Sequence, residues 1–417
     1  MQPMAKDHMR EVKQVISTTC CIVGAGPAGA LLALLLARQG IPVLLLEAHA
    51  DFDRDFRGDT IHPSVLTILN EIGLAEPLLQ IHHTKMSTLG FQGPAGQVNV
   101  INLAQLPGRY PYIAMISQAK FLEFITKEAQ RYPEFQLVMG AQVDELIKSE
   151  GQEGKIEGVR YHAHDGLYEV RAILTVGTDG RFSRVRKLAG FEPIKTSPPM
   201  DILWFRLSRK SSDPTLTFGR FASRLIVALI NRDDYWQIGY VIPKGEYQQV
   251  RAAGLEHFQQ TFAAAVPELA DRIGEVQAWK QVSVLSVESS YVPRWYRPGL
   301  LLLGDAAHVM SPVGGVGINY AIQDAVVASN ILAGKLRYGI VELHDLARIQ
   351  RSRALPTHFI QLLQSVVQQR LLAVALKSNQ PFAFPAFLRF ALGLPGIRVL
   401  PARIVAYGLW PVHVKSR

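Results

Sequence analysis

Three groups of residues, far apart in the chain, have types and spacings suited to chemistry. In the first, glycines at 24, 26 and 29 form a Gly24-x-Gly26-x-x-Gly29 run directly after the apolar stretch Ser17–Val23. The three glycines serve different ends, namely a tight turn, a backbone open to a pyrophosphate, and close contact between helix and strand. Pro27 and Ala28 then open a helix whose free N–H groups and dipole face the phosphates. Glu47, followed by Ala48, closes the next apolar run and can accept hydrogen bonds from a ribose 2′-hydroxyl. An acid there disfavours a 2′-phosphate, so the pattern suits FAD or NAD better than NADP.

The second group is Asp179-Gly180-x-x-Ser183-x-Val185-Arg186, and the third lies within "GDAAHVMSPVGGVGINYAIQDA", Gly304 to Ala325. The third places Asp305 after the apolar run "GLLLL" and then gathers Pro312, Gly315, Val316, Gly317, Ile318 and Asn319. Such a backbone can approach a flat ring closely and aim N–H groups at it. His308 and His62 lie near these groups; they are expected to be a structural hydrogen-bonding residue and a helix-start residue. No residue stands out as a catalytic base, and no metal is expected.

The elements that must position these groups are legible from periodicity. Residues 17 to 47 form strand, turn, helix and strand, the βαβ unit of a parallel sheet. Helices are expected at "IHPSVLTILNEIGL" and "SQAKFLEFITKEAQRYP". Alternating segments from 136 to 176 predict hairpins and a strand returning to the main sheet. Residues 195 to 295 are strand-rich around one helix near "GLEHFQQTFAAAV", and "GLLLLGD" returns as a buried strand ahead of a long helix. From about Asp345 the chain is expected to be helical.

Composition bounds the class. The 417 residues are 48% hydrophobic and 19% charged, which excludes disorder and allows two packed domains. The net charge of +9 is spread without a run of like charge, which argues against a nucleic-acid partner. Cys20 and Cys21 are adjacent and point to opposite faces of a strand, so no disulfide forms and a reducing, cytoplasmic setting is expected. The polar start has no signal-peptide pattern, and the most apolar run, "AGALLALLLARQG", is too short to span a bilayer.

Taken together, the three motifs resemble the para-hydroxybenzoate hydroxylase family of class A flavoprotein monooxygenases over roughly residues 17 to 335. The resemblance implies an α/β fold: a Rossmann-like FAD-binding domain (1–80, 100–195, 290–345), an interleaved β-rich substrate domain (81–99, 196–289) and a helical C-terminal region (346–417). It implies that Gly24, Gly26, Gly29 and Glu47 hold the ADP half of FAD. Arg57, ahead of a helix, and Gln118 would reach the pyrophosphate or flavin side. Asp305 would take the ribityl hydroxyls, residues 312–319 would run past the isoalloxazine, and Asp179 and Gly180 would serve FAD and a transient NADH or NADPH. The implied reaction passes oxygen from a flavin C4a-hydroperoxide, made with O2, to an aromatic or other lipophilic small molecule.

Two features qualify the family pattern. Glu47 is followed by Ala48 and His49, where the family often carries Arg, a departure at the donor's end of the site. Trp236 and Pro243 resemble the tryptophan–proline signature of flavin-dependent halogenases, but "DRDFRGDTIHPS" lacks the lysine those enzymes need. A halogenase, a polyprenyl-type reductase and a non-catalytic FAD redox sensor stand behind the monooxygenase. Arg206, Phe218, Arg220, Tyr235, Gln237 and Tyr240 are candidates to face substrate, with about half turned away by strand alternation. The tail "FLRFALGLPGIRVLPARIVAYGLWPVHVK" is expected to cover the sheet domain or the entrance, with a peripheral membrane contact as its alternative.

Overall fold

The computed structural model describes residues 12–53, 60–93, 96–152, 154–213, 218–222, 224–377 and 399–415. Arg57 lies outside the described residues, as does the side chain of Phe218. The chain opens with Val12–Val23 (β1), helix Pro27–Ala37 (α1), Val43–Glu47 (β2) and helix Pro63–Glu71 (α2). It continues through Thr88–Gly93 (β3), Gly96–Asn102 (β4) and helix Gln118–Ala129 (α3). Four strands follow: Phe135–Met139 (β5), Gln142–Lys148 (β6), Ile156–Ala163 (β7) and Gly166–Gly177 (β8), then the short helix Arg184–Leu188 (α4).

The central stretch contains Met200–Ser208 (β9), Phe218–Ala222 (β10), Leu225–Asn231 (β11), Tyr235–Pro243 (β12), helix Leu255–Ala265 (α5) and Ser283–Ser286 (β13). Tyr296–Arg297 (β14) and Leu300–Leu302 (β15) lead to the long helices Gly317–Arg337 (α6) and Leu343–Val367 (α7). Val399–Tyr407 (α8) follows near the end.

Two sheets organise the molecule. The first has the order β14-β15-β8-β1-β2-β5, with β7 and β6 added beyond β8. Its β1, β2, β5, β8 and β15 run parallel, as the βαβ reading requires. The second has the order β13-β9-β12-β11-β10-β3-β4 and is antiparallel except where β10 meets β3. Strands from the early chain thus complete a sheet built mostly from residues 200–286.

The apolar pattern explains the layers. Helix α1 is hydrophobic on every side, and all of Ala28–Ala37 is buried between the first sheet and other helices. Cys20 and Cys21 are free and buried on opposite faces of β1, one in each of the cores that sandwich the sheet. Burial pushes both thiols up. Strand β1 begins at Val12, earlier than expected, because β8 is equally long and offers partners to its exposed first half. The strand-rich centre holds a second helix, Tyr247–Ala252, whose side chains are not buried and leave no apolar stripe in the sequence.

Helix α8 and the following residues pack back onto the body. Ala402 and Ala406 are fully buried, and Glu71 accepts the Val414 N–H at 2.7 Å. That agrees with a tail covering the sheet domain for residues 399–415; residues 378–398 lie outside the described residues.

Candidate active site

The first glycine loop separates packing from ligand demand. Gly24 has φ +101°, and a Cβ on it would sit 2.6 Å from Asp179 Cα. A Cβ on Gly29 would sit 2.0 Å from the Gly24 carbonyl oxygen and 2.5 Å from Thr178 Oγ1. Thr178 Oγ1 in turn donates to the Gly24 carbonyl at 2.6 Å. The protein's own contacts therefore demand glycine at 24 and 29. Gly26 differs: the nearest atom to its Cβ position is Thr178 O at 3.8 Å, and its open side faces a cleft. It caps the N-terminus of α1 with no side chain of its own. Glycine at 26 leaves room for a ligand against an uncapped helix N-terminus, the arrangement that binds phosphate.

Two cavities meet at this loop. One, about 290 Å³, is lined by Gly24, Gly26, Glu47, Ala48, Asp179 and Gly180, among others. The other, about 300 Å³, is lined by Gly26, Pro27, Ala28, Asp305, Pro312 and Gly315, then Gly317 and Ile318. Gln118, at the start of α3, touches both. A third, polar cavity of about 180 Å³ shares Met115, Gln118 and Gln237 with the second. Residues from each of the three motifs thus line two adjoining cavities that share Gly26, Gln118 and Gly180.

Glu47 holds the loop as well as the cleft wall. Its Oε2 accepts the Ala25 N–H at 2.9 Å, and its Oε1 lies 2.7 Å from His49 Nδ1. His49, at the family departure, is therefore Glu47's neighbour.

The Asp179 carboxylate accepts from Ser183 Oγ and from the N–H groups of Arg184 (2.7 Å) and Val185 (2.9 Å). The motif thus caps α4, and Arg186 staples it to the third motif by donating to the Ala306 carbonyl at 2.9 Å. Gly180 (φ +79°) turns the backbone toward the cleft.

At the late loop, Gly314 and Gly315 both have positive φ, +81° and +63°. Thr60 Oγ1 donates to the Gly315 carbonyl at 2.8 Å. Asn319 is buried; its Oδ1 accepts the His62 N–H at 3.0 Å, and its Nδ2 donates to the Gly315 carbonyl at 3.2 Å. Burial lowers His62 to about 4, so its ring is neutral, and Nδ1 donates to the Val405 carbonyl at 2.7 Å. Helix α6 begins here, again with no side-chain cap. Gly29, Val316 and Asn319, expected at the cofactor, do not line the cleft; they brace its walls because their neighbours are the protein's own backbone and core.

Behind the loop, Asp324 accepts from the Gly304 N–H (3.1 Å) and from Arg353 Nε (2.8 Å), and lies 2.6 Å from His308 Nε2. Burial raises the Asp324 carboxyl, but His308 and Arg353 outweigh it and hold the group below the ordinary carboxylate range. The expected structural role of His308 is met, and Arg353 is a partner that sequence spacing did not signal.

The second sheet supplies the opposite wall. Register puts Trp204 opposite Gly239, and Gly239 opposite Ala228, on the face toward the cleft. A Cβ on Gly239 would meet Trp204 Cζ3 at 2.9 Å, so the indole lies over the glycine. Trp204, Ile230, Gln237 and Leu285 line the cleft from this sheet. Among the six candidates, Arg206, Tyr235 and Gln237 face the cleft side. Tyr240 packs under the sheet against Phe258 of α5, and Arg220 binds Glu268 and the Ala265 carbonyl there. Trp204 was missed because "DILWFRLSR" gives no sign of which face is the cleft.

A family model described as an FAD binding domain matches residues 17–357. The chain belongs to that family. It is 36% identical over 336 residues to the 6-methylpretetramide 4-monooxygenase of Streptomyces rimosus, covering 79% of this chain and 78% of that one. The solved OxyS anhydrotetracycline hydroxylase of the same species has a TM-score of 0.72 at 23% identity, covering 94% of this chain and 76% of that one. PqsL of Pseudomonas aeruginosa has a TM-score of 0.71 at 20% identity, covering 90% and 98%. The two structures support the α/β fold. This family member is an FAD-dependent monooxygenase, an oxidoreductase that takes electrons from NAD(P)H and oxygen from O2.

Proposed function

We propose that the enzyme hydroxylates a planar, fused-ring aromatic small molecule held between the late glycine loop and the Trp204 face of the second sheet. The observation that carries this reading is the indole of Trp204 at the cleft wall, its Cζ3–Cη2 edge seated over Gly239, which puts an aromatic ring within reach of a flat substrate. The pretetramide named for the 36% identical relative is a substrate of this kind.

The residues present fit FAD. Gly26, Pro27 and Ala28 would hold its pyrophosphate at the N-terminus of α1, with Gln118 alongside. Glu47 and Ala48 would border the adenosine ribose. Asp305 would accept from the ribityl hydroxyls, and Gly315, Gly317 and Ile318 would border the ring. Bound there, FAD supplies the two-electron acceptor for NAD(P)H and the site of O2 activation.

The chain's own work is positional. Asp179, Arg186 and Asp324 fix the backbone of the two loops, while Asn319 and Thr60 fix Gly315. The uncapped N-terminus of α6 would favour negative charge on the nearby ring. Apolar Ile230, Leu285 and Val287 would keep the reacting end dry.

In this reading the first sheet forms the FAD-binding unit and the second, including residues 88–102, the substrate unit. The free, buried cysteines suit a cytoplasmic setting.

The test compares 2-naphthol with decahydro-2-naphthol, which keeps the skeleton but is not flat. The holoenzyme should bind 2-naphthol, with faster NAD(P)H oxidation in its presence. Trp204→Leu should weaken 2-naphthol about fivefold, equivalent to about 1 kcal/mol of ring contact, and leave decahydro-2-naphthol unchanged. Equal loss for both would contradict the stacked geometry.

A further inference from the structure

Helix α7 buries Leu346, Ile349 and Ile360 in the core, and polar side chains beside them. Its polar side chains turn inward: Arg353 Nε donates to Asp324, and Gln364 Nε2 donates to the carbonyls of Ser311 (2.9 Å) and Val313 (2.7 Å). Gln361 Nε2 likewise donates to the carbonyls of Ser290 and Val309, each at 3.0 Å. Its outer face carries Leu355, Leu362 and Val366, exposed by 58%, 64% and 50%, with Leu363 beside them. The spacings of seven and four place these on one stripe. The inward Leu346, Ile349 and Ile360 already serve the core, so this second, outward stripe is more apolar surface than the helix needs for packing.

Charge is arranged around the stripe. Arg348 and Arg351 stand exposed before it, and Arg370 and Lys377 after it. From residue 346 to 417 the chain has ten Lys and Arg and no Asp or Glu, while the preceding part is nearly neutral. The +9 excess, though never a run, therefore sits almost wholly in this region.

We propose that the outer face of α7 is a peripheral membrane-binding surface for anionic phospholipid headgroups. The apolar stripe enters the headgroup–acyl boundary, and the flanking cations meet lipid phosphates. The segment Leu343–Lys377 is long and apolar enough to cross a bilayer, but its inner face is bound to the body through Arg353, Gln361 and Gln364, so it lies on the surface. This surface is separate from the tail at 399–415, which packs on the body, and the inference does not depend on the substrate reading.

The test is flotation of the holoenzyme with vesicles of phosphatidylglycerol and phosphatidylcholine, against phosphatidylcholine alone. Binding should require the anionic lipid and weaken in high salt. Replacing both Leu362→Glu and Val366→Glu should cut the bound fraction at least about tenfold, and each of Arg348→Gln and Arg351→Gln about fivefold. FAD content and NAD(P)H oxidation in solution should stay at wild-type values, showing that the variants are folded. Three results would each overturn the proposal: no flotation with anionic vesicles, equal flotation with neutral ones, or flotation unchanged by the Glu pair. A dimer in sedimentation that the Glu pair dissociates, without vesicle binding, would assign the stripe to a second copy of the chain instead.

Discussion

The two glycine-rich loops look alike in sequence but are glycine-rich for different reasons. At Gly24 and Gly29 the requirement is close backbone contact, with Cβ positions 2.6 and 2.0 Å from neighbouring main-chain atoms. At Gly24 positive φ (+101°) adds to it. At Gly314 and Gly315 positive φ comes first, and the close neighbour is a side chain, Thr60 Oγ1 at 2.7 Å from the Gly315 Cβ position. Thr60 and Asn319 hold this loop from outside. Gly26 and Gly317 belong to neither case. Among the described residues, and apart from the adjoining chain, the nearest atom to the first Cβ position is Thr178 O at 3.8 Å, and none lies within 4 Å of the second. The early loop is thus rigid by its own packing, and the late loop by side chains borrowed from residues 60 and 319.

Substitutions break this contrast in order of size. Gly29→Ala should cost more than about 3 kcal/mol, because backbone cannot yield to the added carbon. Thermal melting of the FAD-free protein would register it. Gly26→Ala should leave that melting curve within about 0.5 kcal/mol of wild type, yet raise the FAD dissociation constant about 100-fold. A large drop in melting temperature would mean that Gly26 is required by packing after all. Asn319→Ala should cost about 2 kcal/mol by orphaning the His62 N–H, with FAD bound about tenfold more weakly. Equilibrium unfolding and FAD titration would separate the two effects.

The smallest effect is with pH. His62 is held at about 4 by burial, below its ordinary value of 6.5, so folding favours the neutral ring. The stability this gives is full above about pH 6.5 and is lost as pH falls toward 4, because the unfolded chain then binds the proton first. About 1 kcal/mol should disappear between pH 7 and pH 5.5, and His62→Gln should remove that part of the slope. Denaturant titrations at the two pH values would measure it.

Motif spacing made much of this site legible. The βαβ unit, the parallel core and the lining roles of Gly26, Glu47, Asp305 and Gly317 follow from local pattern, since apolar runs and turn residues report on their own neighbourhood. What stayed hidden depends on distant register. Trp204 takes its meaning from Gly239 and Ala228, and Tyr240 and Gln237 face opposite ways for the same reason. The Arg353–Asp324 pair joins two helices 29 residues apart in sequence. Asp179 lines the cavity, and its carboxylate also caps α4, a second task that the motif does not show.

The central claim is oxygen transfer to a flat aromatic ring in the cleft that Gly26 opens and Trp204 bounds. The most direct measurement incubates the FAD-loaded enzyme with NAD(P)H, a fused-ring phenol and ¹⁸O2, and weighs the product. Oxygen transfer predicts a product carrying one labelled oxygen, formed in step with NAD(P)H consumed and lost in Gly26→Ala. A product that has gained hydrogen or halide but no label, or NAD(P)H oxidation that the phenol never stimulates, would contradict it.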